Sequence, residues 1–324
     1  METPTNFDET ELKADFARLK AEINKVIIGQ EGAITGIIIA LLAGGHVLLE
    51  GVPGTGKTLL VRTISKCLSL DNKRVQFTPD LMPGDITGSL IYDNQTSNFD
   101  FRPGPVFTNL LLADEINRTP PKTQSALLET MEEKQVSIDG KSYPLPAPFM
   151  VLATENPIEF AGTYALPEAA LDRFLFHLEM PMLSMEEEVQ ILENHANGFN
   201  PRKLETAGLE AVLTAEQLRA AQQFVQQVEV STEVLHYIVA LVRATRNNPA
   251  VELGVSPRGA TNLLAAAKAW AWLQGRNFVI PDDVKTLVLP TMRHRLRLSA
   301  DVELEGMDAN HVLTSILNNV PTPR

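Results

Sequence analysis

His46 to Thr58 reads HVLLEGVPGTGKT: a short apolar run that turns through Gly51, Gly54 and Gly56 onto Lys57 and Thr58. The run has the length of a buried strand, and a helix is predicted to follow the turn. In that setting the segment satisfies the Walker A pattern. Its glycines let backbone N–H groups turn toward an anion, and the start of the next helix presents its positive end to the same point. Lys57 is then placed to reach β- and γ-phosphate oxygens, and the Thr58 hydroxyl to ligate Mg²⁺. The candidate nucleotide-binding residues here are Pro53, Gly54, Thr55, Gly56, Lys57, Thr58 and Leu59.

Outward from this loop, the chain divides into a mixed half and a helical half. Leu12, Phe16, Leu19 and Ile23 recur at helical spacing and predict a helix over residues 8–23; a second is predicted over 30–43, closed by Gly44 and Gly45. Further strands are predicted at 74–77, 110–113, 149–154 and 174–180, with helical stretches between several of them, which is the signature of a parallel α/β sheet. Two pieces interrupt the alternation as β-hairpins: 89–102, and 135–138 paired with 141–145 through Asp139-Gly140, a favoured type I′ turn. After Pro181 the strands are expected to stop. Ser184 with Glu187 and Thr214 with Gln217 form capping boxes, and Pro257 and Pro281 suit first helical turns. The expected division is a nucleotide-binding domain over 1–183, with inserts near 85–103 and 134–146, and a helical domain over 184–324.

Asp114 and Glu115 end the apolar strand LLLA, so both carboxylates are expected at the carboxyl edge of the sheet beside the phosphate loop. This is a Walker B arrangement, with Asp114 holding Mg²⁺ and Glu115 orienting and deprotonating the attacking water. Asn156 follows the strand MVLAT at the same edge; an asparagine there is often only a turn former, and its order after Asp114 and Glu115 is what favours a functional role. Arg173 in ALDRF and Arg258 in SPRGA stand beside helix ends. The residues alone leave a surface ion pair and an arginine finger on a neighbouring subunit's γ-phosphate equally open.

Composition narrows the rest. A chain of 324 residues suggests two domains. The formal net charge of −12 works against nucleic-acid or anionic-lipid partners. No apolar run reaches the ~20 residues needed to span a bilayer, and Met1 opens into acidic, polar sequence, so a cytoplasmic chain without membrane insertion is expected. The single cysteine, Cys67, is expected to be a buried apolar residue. The basic cluster Arg293, His294, Arg295 and Arg297 is expected to make lid or subunit contacts, and Trp270 and Trp272 to pack. The histidines show no metal-ligand spacing.

These motifs together resemble the MoxR branch of the AAA+ ATPases. The resemblance rests on IIGQE, GVPGTGKT, ADEINRTPPKTQSALLETMEE, VLATENPIEFAGTYALPEAALDRF, GVSPRGA and PDDVKTLVLPTMRHRL, and it covers almost the whole chain. It implies a P-loop AAA+ αβα sandwich with a five-stranded parallel sheet, a smaller α-helical lid and a ring, usually a hexamer. Under it Glu115 is the catalytic carboxylate, Asn156 sensor one, Arg173 the finger and Arg258 sensor two, with Arg118 able to face the adjoining subunit. Ile28 and Gly29 flank the adenine, and the hairpins become inserts that grip or remodel partners. Thr119, Ala165 and Ala170 depart from the branch's usual alanine, proline and glutamine.

The function expected from this reading is Mg²⁺-dependent ATP hydrolysis driving a chaperone-like motor on protein clients. The resemblance adds a partner carrying a von Willebrand factor A domain and a role in maturing metalloenzymes or other complexes. A metal-chelatase motor subunit, a slow nucleotide-gated scaffold and a DNA-acting ring are the rivals, in that order.

Overall fold

The computed structural model describes residues 7–52, 54–95, 97–156 and 162–323. Two helices, α1 (Glu9–Asn24) and α2 (Glu31–Ala43), lead into β1 (Val47–Glu50), and the phosphate loop opens α3 (Lys57–Cys67). The order continues β2 (Asn72–Gln76), α4 (Pro83–Thr87), β3 (Gly88–Asp93), β4 (Asn98–Pro103), β5 (Leu110–Asp114), α5 (Pro121–Glu133), β6 (Gln135–Ile138), β7 (Lys141–Pro144), β8 (Met150–Glu155), α6 (Glu168–Leu171) and β9 (Phe176–Glu179). The remainder is α7 (Met185–Ala196), α8 (Ala215–Gln227), α9 (Thr232–Arg246), β10 (Val251–Leu253), α10 (Pro257–Leu273), α11 (Pro281–Met292), β11 (Arg297–Leu298), α12 (Ala300–Leu304) and α13 (Ala309–Asn319).

Five strands form one parallel sheet in the order β2-β5-β8-β1-β9. Both faces of the central strands β1, β5 and β8 are covered, which is why these three read as continuous apolar runs, whereas the edge strand β2 (NKRVQ) is mostly exposed. Val47 and Leu49 turn to one face with Leu110, Leu112 and Leu152, against α1, α2 and α3. Leu48 turns to the other with Leu111, Ala113 and Val151, against α5. The αβα sandwich expected from the sequence is present, and so are both hairpins. β3 pairs antiparallel with β4, and β6 with β7. Asp139 and Gly140 have φ of +51° and +74°, as a type I′ turn requires.

The two hairpins touch. Phe101 of the first stacks on Tyr143 of the second with ring centroids 4.1 Å apart. Tyr92 and Phe99, directly opposite on β3 and β4, pair at 5.2 Å and remain largely exposed.

After β9 the chain is mostly helical, with the Ser184 and Thr214 capping boxes formed and Pro257 and Pro281 in first turns. The expectation that strands stop after Pro181 is corrected: β10 and β11 form a short antiparallel pair. Strands of three and two residues are too short to leave a periodicity that a sequence reading can detect. Trp272 is fully buried, edge-on to Phe16 at 5.6 Å, and donates its indole N–H to Glu9 at 2.9 Å. This joins α10 to α1 across almost the whole length of the chain. Cys67 is buried as expected, its thiol pushed up to about 11 mainly by desolvation. Among the described residues no helix is long and apolar enough to cross a membrane.

The basic cluster is spent on internal contacts. Arg295 is buried between the Asp172 carboxylate (2.8 Å), the Asp172 carbonyl (3.0 Å) and the carbonyls of Phe174 and Thr291. Arg293 pairs with Glu179, and Arg297 with Glu168 and Glu252. Asp172 also accepts the single O–H of Ser256, the cap of α10, its two oxygens lying 3.1 and 2.9 Å from that hydroxyl. A buried ion pair that loses one partner leaves an uncompensated charge. Asp172→Ala is therefore expected to cost about 3 kcal/mol in equilibrium urea unfolding; a cost near zero would show that Arg295 is held by the carbonyls alone.

His46 is completely buried. Its Nδ1 accepts from the Val151 N–H (2.9 Å) and its Nε2–H faces the Met131 carbonyl (3.2 Å), which fixes the neutral tautomer. Burial pushes its pKa down from 6.5 to about 4, against the smaller opposing effect of the Met131 bond. Below pH 6.5 the unfolded chain binds the proton first, so this contribution is complete above pH 6.5 and is lost progressively toward pH 4. The fall is expected to be on the order of 3 kcal/mol. His46→Gln should flatten the pH dependence of unfolding in that window, and an unchanged slope would assign the acid sensitivity to other groups.

Candidate functional site

The site gathers at the carboxyl edge of the sheet because parallel strands deliver all their carboxyl ends to one side. Beyond β1, Gly54 and Gly56 have φ of +93° and +86°, conformations a side chain would strain, and the loop between them runs into α3. The Thr55 hydroxyl donates to the Val52 carbonyl at 3.0 Å. Lys57 lies across the loop, its Nζ donating to the carbonyls of Gly51 and Glu155. Pro53 lies outside the described residues.

Adjacent β5 and β8 bring the two carboxylates to this loop. Buried Thr154 donates to Asp114 Oδ1 at 2.6 Å and accepts the Glu115 N–H at 2.9 Å. Asp114 Oδ2 stands 3.5 Å from the Thr58 hydroxyl and is also held by Arg74 at 2.7 Å. Thr58 and Asp114 thus offer the hard oxygen donors that Mg²⁺ takes, side by side at the phosphate loop. Glu115 has a left-handed backbone (φ +57°), uncommon for a residue with a side chain and costing roughly 1 kcal/mol. Its carboxylate accepts from Gln76 (2.6 Å) and Arg118 (2.9 Å). Asn156 follows β8 at the same edge, buried, its carbonyl 3.4 Å from the Asn117 amide.

Beside the loop is a cavity of about 170 Å³ lined by Ile28, Gly54, Thr55, Gly56 and Leu59 from the expected set. Its other walls include Leu183, Ile191, Asn194, His195 and Phe199, which the sequence reading missed. A mostly apolar cleft next to a phosphate loop suits a nucleobase. Gly29 does not line it; it borders a larger cavity of about 590 Å³ between α2, β9, α10 and α11. A Cβ on Gly29, whose φ is +71°, would meet Glu187 and Leu183 at 2.6 Å, so this glycine sets how closely α7 approaches.

One histidine does join carboxylates, despite its uninformative spacing. His177 of β9 lies 2.8 Å from Glu50 and 3.6 Å from Glu155, with the ligating atoms of the three groups within 4.8 Å of one another. Only strand pairing makes them neighbours. Desolvation raises the pKa of Glu155, while the His177 hydrogen bond lowers that of Glu50. Desolvation also lowers that of Lys57, against the pull of Asp114 and Glu115.

Arg173 and Arg258 are not brought to this edge. Both pair with Glu132, near the end of α5, and line a cleft of about 230 Å³ with Gly44, Gly45 and His46, at the start of β1. The four residues of β1 place this cleft on the order of 13 Å from the phosphate loop. The reason is the Asp172 to Ser256 link, which ties the start of α10 to the loop carrying Arg173.

Comparison with known proteins agrees with this geometry. Residues 46–176 match the ATPase family associated with various cellular activities (AAA), and residues 243–316 match an AAA lid domain. YeaC of Bacillus subtilis, a protein described as uncharacterized, is 48% identical, with 93% of this chain and 92% of that protein covered. Chaperone MoxR1 of Mycobacterium tuberculosis is 41% identical over 94% of this chain and 81% of its own length. A crystal structure of a Cytophaga hutchinsonii protein assigned as an ATPase superposes with a TM-score of 0.88 at 38% identity, covering 98% of this chain and 97% of that one. The motifs, the parallel sheet with its helical lid and the near full-length relatives agree, and the chain belongs to the MoxR family of AAA+ ATPases.

Proposed function

We propose that this chain hydrolyses ATP with Mg²⁺ at an interface between identical subunits and uses the cycle to remodel protein clients. The observation that carries the reading is the convergence of Lys57, Thr58, Asp114 and Glu115 on one sheet edge beside a cavity of nucleobase size.

In this reading the adenine occupies the cleft beside Ile28 and Leu59, and Gly29, outside the cleft, acts only by letting its wall residue Leu183 approach closely. The loop from Pro53 to Thr58 holds the phosphates, and Lys57 exchanges its two carbonyl partners for phosphate oxygens. Thr58 and Asp114 hold Mg²⁺, which neutralises charge on the phosphates. Glu115, once turned from Gln76 and Arg118, accepts the proton of a water whose oxygen bonds the γ-phosphorus as the bond to ADP breaks, and Asn156 orients that water. Arg173 and Arg258 stand too far from their own loop to assist, so they serve a neighbour's γ-phosphate. That arrangement needs a ring, and a hexamer is the size the family resemblance supports.

We take residues 1–183 as the nucleotide-binding domain and 184–324 as the lid. The exposed Tyr92 and Phe99 of the first hairpin, stacked through Phe101 onto the second, supply an apolar surface suited to a client. The chaperone name of the Mycobacterium relative supports the remodelling role, and the resemblance supports a partner with a von Willebrand factor A domain and a cytoplasmic setting. One observation favours the slow-scaffold alternative: the Glu115 carboxylate is engaged by both Gln76 and Arg118. Turnover that stays low at every protein concentration is what that alternative requires.

Glu115→Gln is expected to keep ATP binding while kcat falls by about a hundredfold or more, since the amide cannot take the proton. Equal turnover in the variant would remove Glu115 from the chemistry. Arg173→Ala and Lys57→Ala are each expected to be inactive alone and to recover part of the activity when mixed, each lending the other an intact half-site. Absence of recovery at every mixing ratio would count against a shared site.

A further inference from the structure

Two cations from distant segments meet on one carboxylate. Arg173 approaches Glu132 Oε2 with Nε at 2.8 Å and Nη2 at 2.7 Å, and Arg258 takes Oε1 with Nη2. Arg173 also donates to the Ala169 carbonyl at 2.7 Å. All three side chains are partly exposed, at 28%, 40% and 35% for Arg173, Arg258 and Glu132, so the cluster faces outward.

Nothing local asks for an arginine at either place. Arg258 sits in the first turn of the 17-residue α10, where the helix dipole disfavours a cation and no acidic residue of that turn offsets it. Two guanidiniums held side by side repel unless an anion lies between them. Together with Lys134 they border the 230 Å³ cleft, a place fitted for an anion with several oxygens. Glu132 fills it from within, its carboxyl held below the usual range first by Arg258 and then by Arg173. Glu129 and Glu133 line an adjoining cleft of about 320 Å³ with Arg173 and contribute no bond to either arginine.

We propose that Glu132 is a positioning residue that stands in for the phosphoryl oxygens of a neighbouring subunit's ATP, keeping Arg173 and Arg258 together in the lone subunit and releasing them when two subunits close on a nucleotide. The proposal rests on the reading above, in which both arginines act across the interface. Its consequence is a competition. The internal ion pairs must open before the arginines engage the incoming phosphate, so Glu132 sets the protein concentration at which turnover begins and not the rate of the chemical step. Ion pairs this exposed are individually weak, so the competition is modest and reversible.

The test is steady-state ATPase activity against protein concentration for the unaltered protein, Glu132→Gln, Glu133→Gln and Arg173→Ala, at saturating ATP and Mg²⁺, with KM for ATP measured at the highest concentration. Glu132→Gln is expected to lower the concentration of half-maximal turnover by about three- to tenfold without lowering saturating kcat. Glu133→Gln is expected to follow the unaltered protein. An unshifted midpoint in Glu132→Gln, a shift equally large in Glu133→Gln, or a fall in saturating kcat overturns the proposal; the last would make Glu132 a support of the assembled site. If any of these occurs while Arg173→Ala abolishes turnover, the role of Glu132 alone fails. If Arg173→Ala retains full turnover, the shared-site reading fails and takes this proposal with it.

Discussion

The buried guanidinium of Arg295 fixes how the second half of the chain sits on the first. It reaches from the end of α11 to Asp172 and to carbonyls at the start of β9, where burial works against its charge and Asp172 offsets that cost. Ser256 joins the same carboxylate, so the start of α10 and the loop carrying Arg173 move as one piece. The placing of Arg258 next to Arg173 follows from this contact. A lid docked any other way would carry Arg258 elsewhere.

At the opposite edge of the sheet the governing constraint is charge. Glu50, Asp114, Glu115 and Glu155 all emerge there, with Lys57 and Arg74 as the offsetting cations and the His177 ring placed against Glu50 and Glu155. Lys57, half-buried, donates to two backbone carbonyls, which are weaker acceptors than a charged oxygen. The left-handed backbone of Glu115 turns the chain sharply just where the strand finishes and keeps that carboxylate at the rim.

The two hairpins add a different kind of constraint. The Phe101 to Tyr143 stack joins an insert that precedes β5 to one that precedes β8, and those strands carry Asp114 and lead to Asn156. Displacement of one hairpin is therefore felt by the other, and both are anchored to strands that reach the phosphate edge. A ring pair of this kind adds about 0.5–1.5 kcal/mol beyond the area it buries, which ties the two hairpins together.

Much of this was legible in the sequence, for local reasons. The glycine spacing at 51–56 suits positive φ at Gly54 and Gly56, the LLLA run has the length of a doubly buried strand, and Asp139-Gly140 favours its own turn. The capping boxes of α7 and α8 likewise depend on residues three apart. These signals fixed the parallel sheet, the phosphate loop, the carboxylate pair and both hairpins. What only tertiary structure decided is which distant residues share a space: the walls of the base-sized cleft, His177 between Glu50 and Glu155, Arg74 on Asp114, the β10–β11 pair, and the meeting of Arg173 and Arg258 on Glu132. The physical reason is one of range. Backbone conformation and capping are settled within a few residues, whereas ion pairs and cavities depend on how whole layers dock, and that docking turns on buried contacts such as Arg295 with Asp172, which leave no periodicity in the chain.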